Sequence, residues 1–285
     1  GRRNRLRAVR TFTLCLITMC VVPQFAYAKL NVFACSPEWG ALAAEIGGDE
    51  VDVYVPRTPP DNPFKVRVSS SLVAVLNAAD LLVCTGVGSE QRWLPKTLEK
   101  VKNNNLASGN PGWFLIKDVV KLARIKDGHT QHAHWNPFVQ GDPRRVRSIA
   151  GQLAGRMIQL DKDNAKLYKE NAKNFIKNVG RLADELEQQA VKLRGLTVVT
   201  VPGYSDYLFD WLGINVVTIN NMDLDKVDLI SYSVIGHSTD ILALAERLSL
   251  PLVALPLTIS GAGEVATYEQ FYRTSVGKLL DAVGH

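Results

Sequence analysis

Three histidines, His129, His132 and His134, stand in one short polar stretch with Asp127 close by. Imidazole nitrogen is a good zinc ligand, and several imidazoles in one loop can collect a cation. His132 and His134 alternate, so an extended segment would turn both the same way. The competing reading is a solvated polar loop. His237 precedes a helical segment, where capping or exposure accounts for it, and His285 is terminal. Two cysteines, Cys35 and Cys84, each end a strand-like run, Asn31-Val-Phe-Ala-Cys35 and Leu81-Leu-Val-Cys84. They read either as small buried hydrophobes or as a disulfide in an oxidising compartment, whose geometry a sequence does not supply.

Catalytic patterns are weak by comparison. Neither a Gly-x-Ser-x-Gly elbow nor a phosphate-binding Walker loop occurs, and Gly86-Val-Gly88 follows a strand without the third glycine of a dinucleotide site. Ser205, Asp206 and His237 are the residue types of a hydrolytic triad, yet no motif draws them together. An enzyme is not expected.

The elements that must position these residues begin after an export signal. Arg2, Arg3, Arg5, Arg7 and Arg10 give a basic start, Thr11 to Val22 an apolar run, and Ala26-Tyr27-Ala28 a small-residue cleavage site. Residues 1–28 are therefore expected to be a secretory signal cleaved before Lys29, delivering the chain to the periplasm. The whole chain carries 33 Lys+Arg against 28 Asp+Glu, and the excess lies in those five arginines. The remainder is neutral, so nothing points to nucleic acid. Cys15 and Cys20 also belong to the signal.

Residues 29–141 alternate strands with helices, as in a parallel sheet covered on both faces. Strands are expected at 30–34, 51–55 and 81–85, with helices at 36–46, 69–79 and 90–102. Asp142-Pro143 reads as a cap followed by a first-turn proline. Val146, Ile149, Leu153, Met157 and Leu160 then mark one buried helix face. After a polar break at residues 161–163 the pattern restarts at Tyr168, Ala172, Phe175, Val179, Leu182, Leu186, Ala190 and Leu193, and Gly195 is placed to end it. Taken as one helix, residues 162–194 would run about 50 Å, enough to lie along two lobes. Residues 142–194 are thus the connector, and residues 195–285 a second lobe with strands at 197–201, 215–219, 227–232 and 252–255. The third follows the second after only seven residues, whereas a parallel crossover needs a dozen or more. The two segments form either a hairpin or a neighbouring pair lacking the usual crossover. The expected fold is α/β, two lobes, each a small mostly parallel sheet flanked by helices, joined by a long backbone helix.

With those elements placed, the chain resembles the periplasmic solute-binding proteins of zinc and manganese ABC transporters. The resemblance rests on residues 31–39, 77–86, Trp93-Leu-Pro95, Asn136-Pro137, Gly141-Asp-Pro143 and Tyr207-Leu-Phe-Asp-Trp-Leu-Gly213, in the family's order. It implies a monomer that captures a solute between its lobes and delivers it to a permease in the inner membrane. It also implies an ion held by three histidines and a carboxylate. In this sequence Phe64, Phe138 and Pro202 fall in the three histidine slots, and Gly263, with Glu264 beside it, in the acidic one. Neither a phenyl ring nor proline offers a metal a lone pair, so the usual ion site is expected to be lost. If zinc is bound at all, His129, His132 and His134 are its expected ligands. Phe64 and Phe138, each in an Asn-Pro-Phe motif, either pack together in the emptied space or line a remodelled cleft with Trp135 and Tyr204. The alternative function is a paralogue that takes no metal and holds an organic solute or acts by protein contact. The missing crossover makes the second lobe a shortened one.

Overall fold

The computed structural model describes residues 28–125, 134–221, 223–235, 239–259 and 265–284. Residues 1–27 of the expected export signal, His129, His132, His237, Gly263, Glu264 and His285 lie outside them. No helix among the described residues is long and apolar enough to cross a membrane.

The first lobe contains β1 (Leu30–Ala34), α1 (Pro37–Gly47), β2 (Val51–Tyr54), α2 (Ser70–Ala78), β3 (Leu81–Cys84), α3 (Leu94–Leu98), β4 (Trp113–Leu115) and α4 (Ile116–Val119). Its sheet is parallel throughout, in the order β2-β1-β3-β4. The helix expected over 90–102 is instead a 3-10 turn at Gly88–Arg92 followed by the short α3, because Pro95 sits in the first turn of a new helix rather than inside an old one. Strand β4 was not expected. It is held close to β3 through Gly112, whose carbonyl accepts from the Leu82 amide at 2.7 Å. A Cβ at Gly112 would lie 2.5 Å from the Asn105 carbonyl oxygen and 2.8 Å from that of Asp80, so only glycine fits there.

The connector is a helical hairpin, α5 (Pro143–Leu160) and α6 (Ala165–Gln189). Asp142 caps α5, accepting from the Arg144 amide at 2.9 Å, with Pro143 at the first helical position. Arg147 meets Gly180 and Ile176 meets Gly151, so the two helices run antiparallel. Every apolar position expected from Val146 to Leu160 and from Tyr168 to Leu193 is buried except Leu160, which is half-buried. The long helix is shorter than its pattern: at 25 residues it spans about 37 Å. A 3-10 turn at Val191–Leu193 carries the burial of Leu193 beyond the helix end.

The second lobe follows with β5 (Thr197–Val199), α7 (Asp206–Leu212), β6 (Asn215–Val217), β7 (Leu229–Ser233), α8 (Thr239–Leu248), β8 (Leu252–Leu255) and α9 (Tyr268–Val283). Its sheet is also parallel, in the order β6-β5-β7-β8. Strands β6 and β7 are therefore neither a hairpin nor neighbours. They flank β5, and two single-turn 3-10 segments, Ile219–Asn221 and Leu224–Lys226, make the crossing that a helix ordinarily makes.

Alternation along the strands divides the core. Val32, Ala34, Leu81 and Val83 face a central cluster that runs on through α5, α6, α7 and α9 to Leu255 and Leu279. Phe33, Cys35, Leu82 and Cys84 face an outer cluster with Leu72, Leu76 and Trp93. The hairpin supplies the apolar surface that both sheets bury, so the central core is continuous from one lobe to the other.

Candidate functional site

In parallel sheets the ligand position lies beyond the carboxyl ends of the strands. Both sheets aim those ends at one cleft of about 720 Å³. The segment after β1 brings Cys35 and Glu38, that after β2 brings Pro63 and Phe64, and that after β3 brings Thr85 and Glu90. From the second lobe come Pro202 and Tyr204 after β5, Ile235 after β7, and Leu257 and Thr258 after β8. The linking segment adds His134, Trp135, Phe138 and Gln140. Phe64, Phe138 and Pro202, three positions distant in sequence, thus share one cleft.

Three rings form one wall. Phe138 and Tyr204 meet edge to face with centroids 5.1 Å apart and planes at 88°. Phe64 completes the cluster, 6.0 Å from Phe138 and 6.2 Å from Tyr204. Contacts of this kind are worth about 0.5–1.5 kcal/mol each beyond the area they bury. The rings pack on one another and still leave a cleft beside them. Trp135 stands at the rim, 45% exposed, with the Arg124 guanidinium 4.0 Å from its ring centroid. His134 is exposed and lines the cleft.

The linking segment is fixed by polar bonds to the second lobe and by close packing against the first. Asn136 donates from Nδ2 to the Gly203 carbonyl at 2.9 Å and accepts at its own carbonyl from the Tyr207 hydroxyl at 2.9 Å. Gly88, at φ +75°, lies so close to Pro137 that a Cβ would come within 2.9 Å of the proline ring. Gln140 donates to the Leu257 carbonyl at 2.9 Å and accepts at its backbone from the Tyr272 hydroxyl at 2.7 Å. Its Oε1 is buried with no hydrogen-bond partner among the described residues.

The cleft floor holds two buried carboxyls that were not singled out from the sequence. Glu38 accepts from the Ser36 hydroxyl at 2.8 Å and, across the lobes, from the Thr258 hydroxyl at 2.5 Å. Glu90 accepts from the amides of Thr85 at 3.0 Å and Gly86 at 2.7 Å. Burial raises the pKa of Glu38 above the ordinary carboxyl value. Burial, with Glu38 nearby, pushes Glu90 up to about 7 against the pull of its two amide donors. The only signal in the sequence is their position, each a few residues past a strand end. Beside Glu90, Cys35 and Cys84, at the ends of adjacent strands with Cα atoms 4.9 Å apart, are joined in a disulfide.

A pH dependence follows from Glu90. Its folded pKa is raised, so the native state holds more protons than the unfolded chain between about 4.5 and 7. Its contribution to stability is fully present below that window and is lost as pH rises through 7. Urea midpoints of the parent and of Glu90→Gln, measured from pH 5 to 8, should therefore converge toward low pH and separate toward high pH, with the parent the less stable. Parallel curves would mean that Glu90 is ionised throughout.

A family model described as the periplasmic zinc-uptake complex component A matches residues 32–229. A manganese ABC transporter substrate-binding lipoprotein of Streptococcus gordonii is 22% identical over 165 residues, 57% of this chain and 52% of that protein. A metal ABC transporter substrate-binding lipoprotein of Streptococcus sanguinis is 23% identical over the same shares. The chain spans about half the length of the curated relatives it matches. Among solved structures, a crystal structure of ZnuA aligns at a TM-score of 0.70 and 19% identity, over 90% of this chain and 100% of that one. A manganese-bound periplasmic metal-binding protein from Candidatus Liberibacter asiaticus aligns at 0.74 and 16% identity over the same shares. These likenesses show a common fold.

Proposed function

The chain belongs to the family of the periplasmic zinc-uptake component A, and we propose that it is the extracytoplasmic substrate-binding component of an ABC importer whose cleft receives an organic solute in place of a bare divalent cation. The observation that carries this reading is the wall of Phe64, Phe138 and Tyr204 in the cleft between the lobes. Three imidazoles at Phe64, Phe138 and Pro202 would make a site for zinc, whereas two phenyl rings and a proline offer no lone pair and make an apolar face. Beside that wall is a cleft of about 720 Å³ with a polar floor, a size and character suited to a small organic molecule. Edge-to-face packing offers such a solute the flat side of a ring. The cargo would pass to a membrane permease, the partner with which substrate-binding proteins of this family work.

Calorimetric titration of the disulfide-bonded protein with zinc and with manganese tests the reading. The expected result is no submicromolar one-to-one binding in the cleft. Any weaker uptake should disappear when His129, His132 and His134 are replaced together by alanine. Submicromolar binding that survives that triple replacement would overturn the proposal.

A further inference from the structure

The geometry points to a second ligand position beneath the aromatic wall: we infer that the Cys35–Cys84 disulfide masks a two-thiolate, one-carboxylate site for a thiophilic divalent cation, with Glu90 as the carboxylate. The two sulfurs and a Glu90 oxygen lie within 4.8 Å of one another, the one set of cysteine, histidine or acidic donors among the described residues that is grouped closely enough to share an ion. All three residues are buried, and Cys35 and Glu90 also line the cleft. A cation there would have three protein donors and a fourth position open to the cleft, the arrangement of an exchangeable zinc site rather than a closed structural one. Thiolate ligands select zinc over manganese or magnesium.

The sulfurs are not ligands while bonded to each other, because the donor is the thiolate. Reduction by an external dithiol transfers two electrons and two protons. The S–S bond breaks, Cys35 and Cys84 become thiols, and the reductant leaves as its own disulfide. Cation uptake then releases the two thiol protons and forms two metal–sulfur bonds. The site is thus open only when the protein is reduced, and it is separate from the slots of Phe64, Phe138 and Pro202.

The test uses the full chain carrying Cys15→Ser and Cys20→Ser, so that Cys35 and Cys84 are its only thiols, with cobalt(II) as the probe. The oxidised protein should show no thiolate-to-cobalt charge-transfer band in the near ultraviolet. After reduction, with two free thiols titrated and circular dichroism unchanged, one cobalt per chain should produce that band, and zinc should displace it. Cys84→Ser should abolish the band. Glu90→Gln, which keeps both thiols, should weaken binding roughly tenfold or more. Three results would each overturn the inference. They are a reduced, folded protein without the band, a band that persists in Cys84→Ser, and loss of the native dichroism on reduction.

Discussion

A chain carrying Phe64→His, Phe138→His and Pro202→His is expected to bind one zinc ion with submicromolar Kd where the parent's cleft binds none. The three positions line one cleft although they come from the first lobe, the linking segment and the second lobe. Two imidazoles sharing a tetrahedral zinc, each with Zn–N of about 2.0–2.1 Å, have ring centroids roughly 5 Å apart. The Phe64 and Phe138 rings are 6.0 Å apart, a gap that a modest rotation of either side chain closes. A submicromolar Kd corresponds to more than about 8 kcal/mol, which no one imidazole supplies, so each single variant should leave zinc binding unchanged. The loss of edge-to-face contacts costs about 1 kcal/mol apiece, and the native dichroism should survive it. Calorimetry on the triple variant decides the matter. No uptake by the folded triple variant would mean that these positions are not the slots at which the family holds its ion.

Asp142→Ala is expected to lower stability by about 2–3 kcal/mol, a fall in Tm of roughly 5–10 °C for a chain of this size. The Asp142 side chain is 1% exposed and works as a cap and an ion partner together. Its Oδ1 accepts from the Arg144 amide and Nε, both at 2.9 Å, and its Oδ2 from Nη1 of Arg145 at 2.5 Å. Alanine removes a helix cap worth about 1 kcal/mol and leaves two guanidinium groups short of their carboxylate. Solvent and Asp210 relieve Arg144, and the Tyr207 ring lies 5.0 Å from the Arg145 guanidinium carbon, so the loss stays below that of a fully buried pair. Asp142→Asn, which keeps an acceptor for the cap, should lose about half as much. Urea unfolding measures both. A loss for Asp142→Ala equal to that of the cap alone would show that the arginines contribute nothing there.

The two helices of the connector were the most legible part of the sequence, because their burial follows a 3.6-residue period over about five turns in α5 and seven in α6 and needs no knowledge of partners, whereas their folding back on each other was not read from it. Short strands carry no such signal. Trp113–Leu115 is three residues in a run of Asn, Gly and Pro, and its place in the sheet depends on the close approach at Gly112. The β6-to-β7 connection was recognised as too short for a helix, yet which strand lay between the two is a property of pairing and not of local pattern. For the site, the resemblance pointed to Phe64, Phe138 and Pro202, and their meeting in one cleft is what the folded chain adds. Glu38 and Glu90 went unnoticed because nothing in Ser-Pro-Glu or Ser-Glu-Gln distinguishes a buried carboxyl from a solvated one. The cysteines were left with two readings for a related reason. Only strand register sets Cys35 opposite Cys84.

One apolar core threads both sheets, and Tyr207, Tyr268 and Tyr272 stitch the cleft's back wall to backbone carbonyls. Such a molecule has no free jaw. To swing one half away from the other would expose the seam along α6 and uncouple three phenol bonds. On the function proposed above, a solute would therefore enter a socket already shaped, choice among solutes would be made by outline, and a permease would have to tell a filled carrier from an empty one by side-chain posture at the rim, where Trp135 stands half in water.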